Sequence, residues 1–227
     1  MTRPARRIGP GESNGPERPG RLWYRSASRR IRLLDLKGRS KVAPVLEPIA
    51  TGLGKIGFTP TAITLIGLAI TVAGSVLVAF GYLMWGALVM ALGVFLDTLD
   101  GPLARAIGTA SLRGAFLDTM SDRLGEVSIW VGLAVYLREE PVWLVLCLLA
   151  LAFSLLTPYV RAKAESWGAE GRGGRMGRAE RMIVAVLGIF LAGFWTPILY
   201  GMLVVFVILS ALTVAQRVRR TWQQLPG

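Results

Sequence analysis

The sequence predicts an all-α integral membrane protein, with six transmembrane helices preceded by an interfacial amphipathic helix. Three observations predict it. Of 227 residues 53% are hydrophobic, yet the net charge is +12, and mean hydropathy is +0.51; ordinary soluble domains do not combine these values. Beyond Pro60 the apolar stretches reach the length of about 20 residues that crosses a bilayer. Finally, the cations gather in alternate connections between those stretches.

From the N-terminus, residues 1–37 read as a disordered basic arm. Between Met1 and Ser40, eleven Lys or Arg stand against Glu12, Glu17 and Asp35, among many Gly, Pro and Ser. No long apolar run follows these charges, so a secretory signal peptide is not expected. An anionic membrane surface suits such an arm. Nucleic-acid binding is the competing reading of a basic tail, and the membrane-like remainder of the chain argues against it. Residues 38–58 read as an interfacial helix, because Val42, Val45, Leu46, Ile49, Leu53 and Ile56 recur every three or four positions between Lys41 and Lys55. The alternative for this segment is an amphipathic helix packed on the same chain.

Spans are expected near 61–80, 83–105, 115–137, 142–163, 182–195 and 197–215, within a catalytic domain over 59–216, followed by a tail over 217–227. The connections at Gly81–Tyr82 and Gly193–Pro197 are uncharged, and the third short one holds Arg138, Glu139 and Glu140. The opposite side carries the arm, Arg105, Arg113, the run from Arg161 to Arg181, and Arg217, Arg219 and Arg220. The positive-inside rule then puts both termini in the cytoplasm of a multi-pass plasma-membrane protein.

With no histidine and one cysteine, nearly all zinc, haem and iron–sulfur chemistry is removed, together with Ser-His and Cys-His catalysis. The carboxylates remain. Asp97 and Asp100 are three apart after GALVMALGVFL, and Asp118 and Asp122 are four apart before VSIWVGLAVYL, so each pair shares one helix face. A carboxylate in an apolar segment costs a few kcal/mol and demands a reason. If the connection from Ile107 to Arg113 folds back, four carboxylates converge, and their repulsion calls for cations or protons. An all-oxygen ligand set suits hard divalent metals such as Mg²⁺ or Mn²⁺, and paired ions of this kind serve displacement at phosphorus. Gly101 permits close approach of a phosphate, and Arg105 could grip it. An ion-pair network with Arg105, Arg113 and Arg123 is one rival reading; an ion or lipid transporter is another.

The run Asp97-Thr-Leu-Asp100-Gly101-Pro-Leu-Ala104-Arg105, eight residues, Gly114, three, Asp118, three, Asp122 resembles the signature of the CDP-alcohol phosphatidyltransferases. The resemblance implies a six-helix membrane enzyme, a homodimer, that moves a phosphatidyl group from CDP-diacylglycerol to a small alcohol and releases CMP. It implies two Mg²⁺ or Mn²⁺ ions held by Asp97, Asp100, Asp118 and Asp122, with Asp122 also the base that deprotonates the acceptor. Gly101, Arg105 and Ser111, with Thr61 and Thr64 at the start of the first span, match positions that contact the CDP-diacylglycerol. Helix capping by Thr59 and Thr61 is the alternative for the last pair.

The acceptor is read from Tyr159-Val-Arg161-Ala-Lys163-Ala-Glu165 and Gly177-Arg178-Ala-Glu180-Arg181. Arg161, Lys163, Arg178 and Arg181 suit an anionic acceptor's phosphate, whereas the bland explanation is that they only hold the loop inside. The pattern is similar to that of the actinobacterial phosphatidylinositol phosphate synthases, although Pro158 stands where a small hydroxyl residue is expected. This implies inositol 1-phosphate as acceptor, with glycerol 3-phosphate, the phosphatidylglycerophosphate synthase substrate, as the second choice. Membrane lipids are expected partners and nucleic acid is not.

Overall fold

A computed structural model describes residues 36–226 apart from Arg172 and Arg175, with side chains from Leu46 onward. The expected basic arm lies outside the described residues except for Leu36 and Lys37, which open the first helix. The described elements are all helical: α1 Leu36–Lys55, α2 Pro60–Ala79, α3 Leu83–Asp97, α4 Asp100–Ala106, α5 Leu112–Tyr136, α6 Pro141–Ser166, α7 Arg178–Ala192 and α8 Pro197–Gln224. Residues Met1–Leu46 and Glu47–Gly227 are two compact units. The second contains every helix from α2 onward.

Local chemistry sets the helix ends. Thr59 accepts a hydrogen bond from Ala62 N at 3.2 Å, with Pro60 in the first turn, and Ser111 accepts one from Gly114 N at 3.1 Å. Both are side-chain caps for otherwise orphaned donors. Gly108, at φ 70°, takes the left-handed turn that reverses the chain between α4 and α5. Between α3 and α4 the chain bends at Thr98–Leu99 without losing helical hydrogen bonding, since Leu99 N donates to Leu96 O and Leu103 N to Leu99 O, each at 2.9 Å.

Closely packed pairs run α2–α3–α7–α8–α6–α5 and return to α2. The ring encloses a core built on Trp130, Phe206, Leu133, Met90, Ile189 and Leu203, with Trp130 and Phe206 edge to face at 4.5 Å. At the α2–α3 crossing, glycines seven apart on each helix let the backbones touch. A Cβ on Gly67 would lie 2.9 Å from Gly93 O, and one on Gly86 would lie 2.7 Å from Gly74 O. Small residues at such crossings are the usual means of close approach between helices in lipid.

Four helical stretches are long and apolar enough to cross a membrane: Pro60–Ala79, Leu83–Ala106, Pro141–Ser166 and Pro197–Gln224. In the most apolar part of α6 only 22% of residues are buried. Its outward face, including Val145, Leu148 and Leu149, therefore presents a surface suited to lipid rather than water. The sequence predicts two more spans, over α5 and α7. The stretch of α5 from Leu112 to Glu126 carries Arg113, Asp118, Asp122, Arg123 and Glu126, which lowers its hydropathy. α7 has 15 residues, about 22 Å of helix. Two expected ends also move. The last helix runs to Gln224 rather than stopping near 215, and the amphipathic helix ends at Lys55.

Candidate active site

The bend after α3 and the turn at Gly108 carry the chain from one aspartate pair to the other. One oxygen from each of Asp97, Asp100 and Asp118 lies within 4.8 Å of the other two. Oxygens about 2.3–2.6 Å from a shared divalent cation would span no more than about this distance, so the three carboxylates fit a hard cation's first shell. Asp100 is buried, and the Thr64 hydroxyl lies 2.6 Å from its Oδ2 and 3.0 Å from Pro60 O. With a single proton, that hydroxyl donates to one of them at a time. Thr64, only 3% exposed, thus stands behind a carboxylate of the group.

The fourth aspartate is placed differently. Asp122 lies outside the group of three, its carboxylate paired with Arg178 and, at 3.8 Å, with Arg123. Arg178 Nη2 also donates to Asp97 Oδ2 at 3.3 Å. Of the expected four-carboxylate convergence, three form the tight group, and the fourth reaches Asp97 while pairing with an arginine. The physical cause is the predicted repulsion: charges crowded at low dielectric draw in a counter-charge. The same guanidinium therefore bridges two of the carboxylates assigned to metals by the resemblance.

The remaining expected residues are dispersed around this centre. Gly101 is half-buried in the first turn of α4, Arg105 is exposed one turn on, and exposed Ser111 caps α5. Thr61 is exposed while Thr59 does the capping of α2. Arg161 donates to Glu165 Oε1 at 2.9 Å, and Lys163 Nζ sits 4.4 Å from the Trp167 ring centroid. Arg178 reaches the aspartates, whereas Arg181 is 2% exposed and donates to Glu126 Oε1 at 3.1 Å. The four cations proposed for an anionic acceptor thus occupy two distinct settings, one open and one buried.

Two features escape a reading of sequence alone. Glu126 is 1% exposed and pairs with both Arg123 and Arg181. Its signal was a third carboxylate four residues after Asp122. Arg217 donates at 2.8 Å both to Gly173 O and to Thr157 O, tying the glycine-rich loop and α6 to α8. Thr157 precedes Pro158, which interrupts the helical donors of α6; nothing in the spacing of Arg217 announces this role.

Residues 58–216 match the family model described as CDP-alcohol phosphatidyltransferase. The phosphatidylinositol phosphate synthase of Mycobacterium tuberculosis is 34% identical over 203 residues, covering 86% of this chain and 93% of that protein. The synthase of Cutibacterium acnes is 37% identical over 163 residues, covering 68% and 77%. Among solved structures, the M. tuberculosis synthase with CDP-DAG bound superposes with a TM-score of 0.75 at 32% identity, covering 81% of this chain and 96% of that one. The form in complex with manganese and citrate gives the same TM-score and identity, covering 81% and 91%.

Proposed function

The chain belongs to the CDP-alcohol phosphatidyltransferase family, and from that premise we propose that it transfers the phosphatidyl group of CDP-diacylglycerol to inositol 1-phosphate. The products are phosphatidylinositol phosphate and CMP. One observation carries the reading: three carboxylates within 4.8 Å of one another, with a fourth beside them held by an arginine.

Asp97, Asp100 and Asp118 would hold a divalent cation, with Asp122 completing the set for a second. When bound, such ions neutralise the pyrophosphate and stabilise the departing phosphate of CMP. Asp122 takes the proton from the acceptor hydroxyl, whose oxygen then bonds to the phosphatidyl phosphorus. The bond from that phosphorus to the CMP oxygen breaks, and CMP leaves with the electron pair. With no histidine in the chain, a carboxylate is the available base near neutral pH. Arg178 holds Asp122 in the ligand-free arrangement. An acceptor phosphate, binding guanidinium bidentately, competes for Arg178 and leaves Asp122 to receive the proton. Thr61, Gly101, Arg105 and Ser111 line the approach for the CDP group, and Arg161, Lys163 and Arg181 complete the acceptor's cationic surroundings.

The proposed setting is a cell membrane crossed six times, with termini and active site cytoplasmic. The place of α5 and α7 in the helix ring supports their crossing, and the charge asymmetry of the connections supports the orientation. The family resemblance implies a homodimer.

Purified protein supplied with radiolabelled CDP-diacylglycerol and a divalent cation tests the acceptor. Labelled lipid product is expected with inositol 1-phosphate and not with free inositol, which lacks the phosphate the cations would bind. Product from glycerol 3-phosphate alone would instead identify a phosphatidylglycerophosphate synthase.

A further inference from the structure

Below the aspartates, α5 and α7 are joined by a ladder of two charged rungs. Asp122 and Glu126 are four apart on α5, and Arg178 and Arg181 are three apart on α7, so each pair shares one helix face. Asp122 pairs with Arg178, and Glu126 with Arg181 at 3.1 Å. Arg123 flanks both rungs, contacting Asp122 at 3.8 Å and Glu126 more closely. A cavity of ≈ 20 Å³, large enough for about one water, is lined by Asp97, Asp122, Glu126 and Arg178. The carboxylate end of the lower rung therefore shares this cavity with the reacting end, while Arg181 lies behind it.

The two rungs differ in burial. Asp122 and Arg178 have side chains 14% and 35% exposed, as an upper rung open to ligand would; those of Glu126 and Arg181 are 0% and 2% exposed. A buried carboxylate paired with one buried and one part-exposed guanidinium is an expensive arrangement, and well-packed apolar residues would commonly be at least as stable. Helix packing does not account for it either. α5 and α7 make few close approaches of their own, for α7 lies along α3 and α8. Their mutual register at this level is carried by long charged side chains. The Nε–H groups of Arg123, Arg178 and Arg181 also lack a hydrogen-bond partner among the described residues, so the cluster keeps donors in reserve.

We propose that Glu126 is a positioning residue for the acceptor. By anchoring the buried Arg181, and Arg123 beside it, it fixes α7 against α5, so that Arg178 faces an acceptor phosphate while Asp122 faces the acceptor hydroxyl. The proposal rests on the reading of Arg178 as an acceptor-phosphate ligand. Glu126 acts through these arginines and lies outside the group of aspartates that would hold the metal.

Steady-state kinetics with both substrates varied test it, on Glu126→Gln, Arg181→Ala and the double variant in detergent micelles. Glu126→Gln is expected to raise the KM for inositol 1-phosphate by about tenfold or more, with the KM for CDP-diacylglycerol changed less than about twofold. Because Glu126 acts through Arg181, the double variant should be no worse than Arg181→Ala alone in acceptor KM. A purely structural role would lower kcat through the folded fraction and leave both KM values in place, and that result would overturn the proposal, as would multiplicative effects in the double variant. Glu126→Asp keeps the charge and shortens its reach. It carries the test should Glu126→Gln not fold, with an acceptor KM raised about threefold as the expected result and an unchanged one as the overturning result. Absence of product from inositol 1-phosphate with the wild-type protein would overturn the acceptor reading instead. The same comparison would then use glycerol 3-phosphate, where an unchanged KM in Glu126→Gln overturns the positioning role by itself.

Discussion

Asp122→Asn is expected to lower kcat for phosphatidyl transfer by about 10²–10⁴-fold, the usual scale for removing a positioned general base. The substitution keeps the size and shape of the side chain and removes its basicity. It also weakens the hold on Arg178, which retains Asp97 Oδ2 at 3.3 Å. Asn still offers one oxygen to a second ion and the three grouped carboxylates are untouched, so the binding of CDP-diacylglycerol should stay within about threefold of wild type. Equilibrium lipid binding and single-turnover CMP release on the same preparation separate the two quantities. A kcat within about tenfold of wild type would place the base elsewhere; equal loss of binding and turnover would make Asp122 chiefly a ligand.

The second large effect belongs to the fold. Gly93→Ala should destabilise the helix bundle by about 1–3 kcal/mol or more, the range for overpacking. The added Cβ would meet Gly67 O at 2.6 Å and Thr71 N at 2.7 Å. Both are backbone atoms of α2 and cannot swing aside, so the two helices must part beside Asp97. Gly201→Ala is the control. Its Cβ meets nothing within 4 Å, and Ala is favoured over Gly in a helix interior by about 0.5–1 kcal/mol. Thermal unfolding in detergent should show Tm falling for the first and unchanged or rising for the second. Equal Tm values would mean the crossing is looser than the glycines imply.

What was legible in the sequence is what has a short period. The i,i+3 and i,i+4 aspartates announced their shared faces, and hydropathy located six helical stretches of the right order. Tertiary relations were less legible. The pairs Gly67–Gly93 and Gly74–Gly86 matter because two helices cross there, and in sequence they are ordinary glycines among many small residues. Thr64 matches a nucleotide-contacting position in sequence, and nothing there announces its hydrogen bond to Asp100, 36 residues on. Glu126 was hidden because nothing in an isolated helix tells a buried carboxylate from a solvated one. Only the arrival of Arg181 from α7, 55 positions later, makes it a centre. Spacing alone predicts the approach of Asp122 to the other aspartates, and it does not reveal that Arg178 joins Asp122 and Asp97 from α7.

The central claim is that Asp97, Asp100 and Asp118 jointly hold a divalent cation, with Thr64 steadying one of them. Mn²⁺ binding followed by electron paramagnetic resonance on chelator-treated protein tests it most directly, comparing wild type with Asp100→Asn and Thr64→Val. Wild type should bind; Asp100→Asn should lose most of its affinity, and Thr64→Val should lose about 10–100-fold, the cost typical of removing a carboxylate's supporting partner. Equal Mn²⁺ affinity in all three proteins would contradict it.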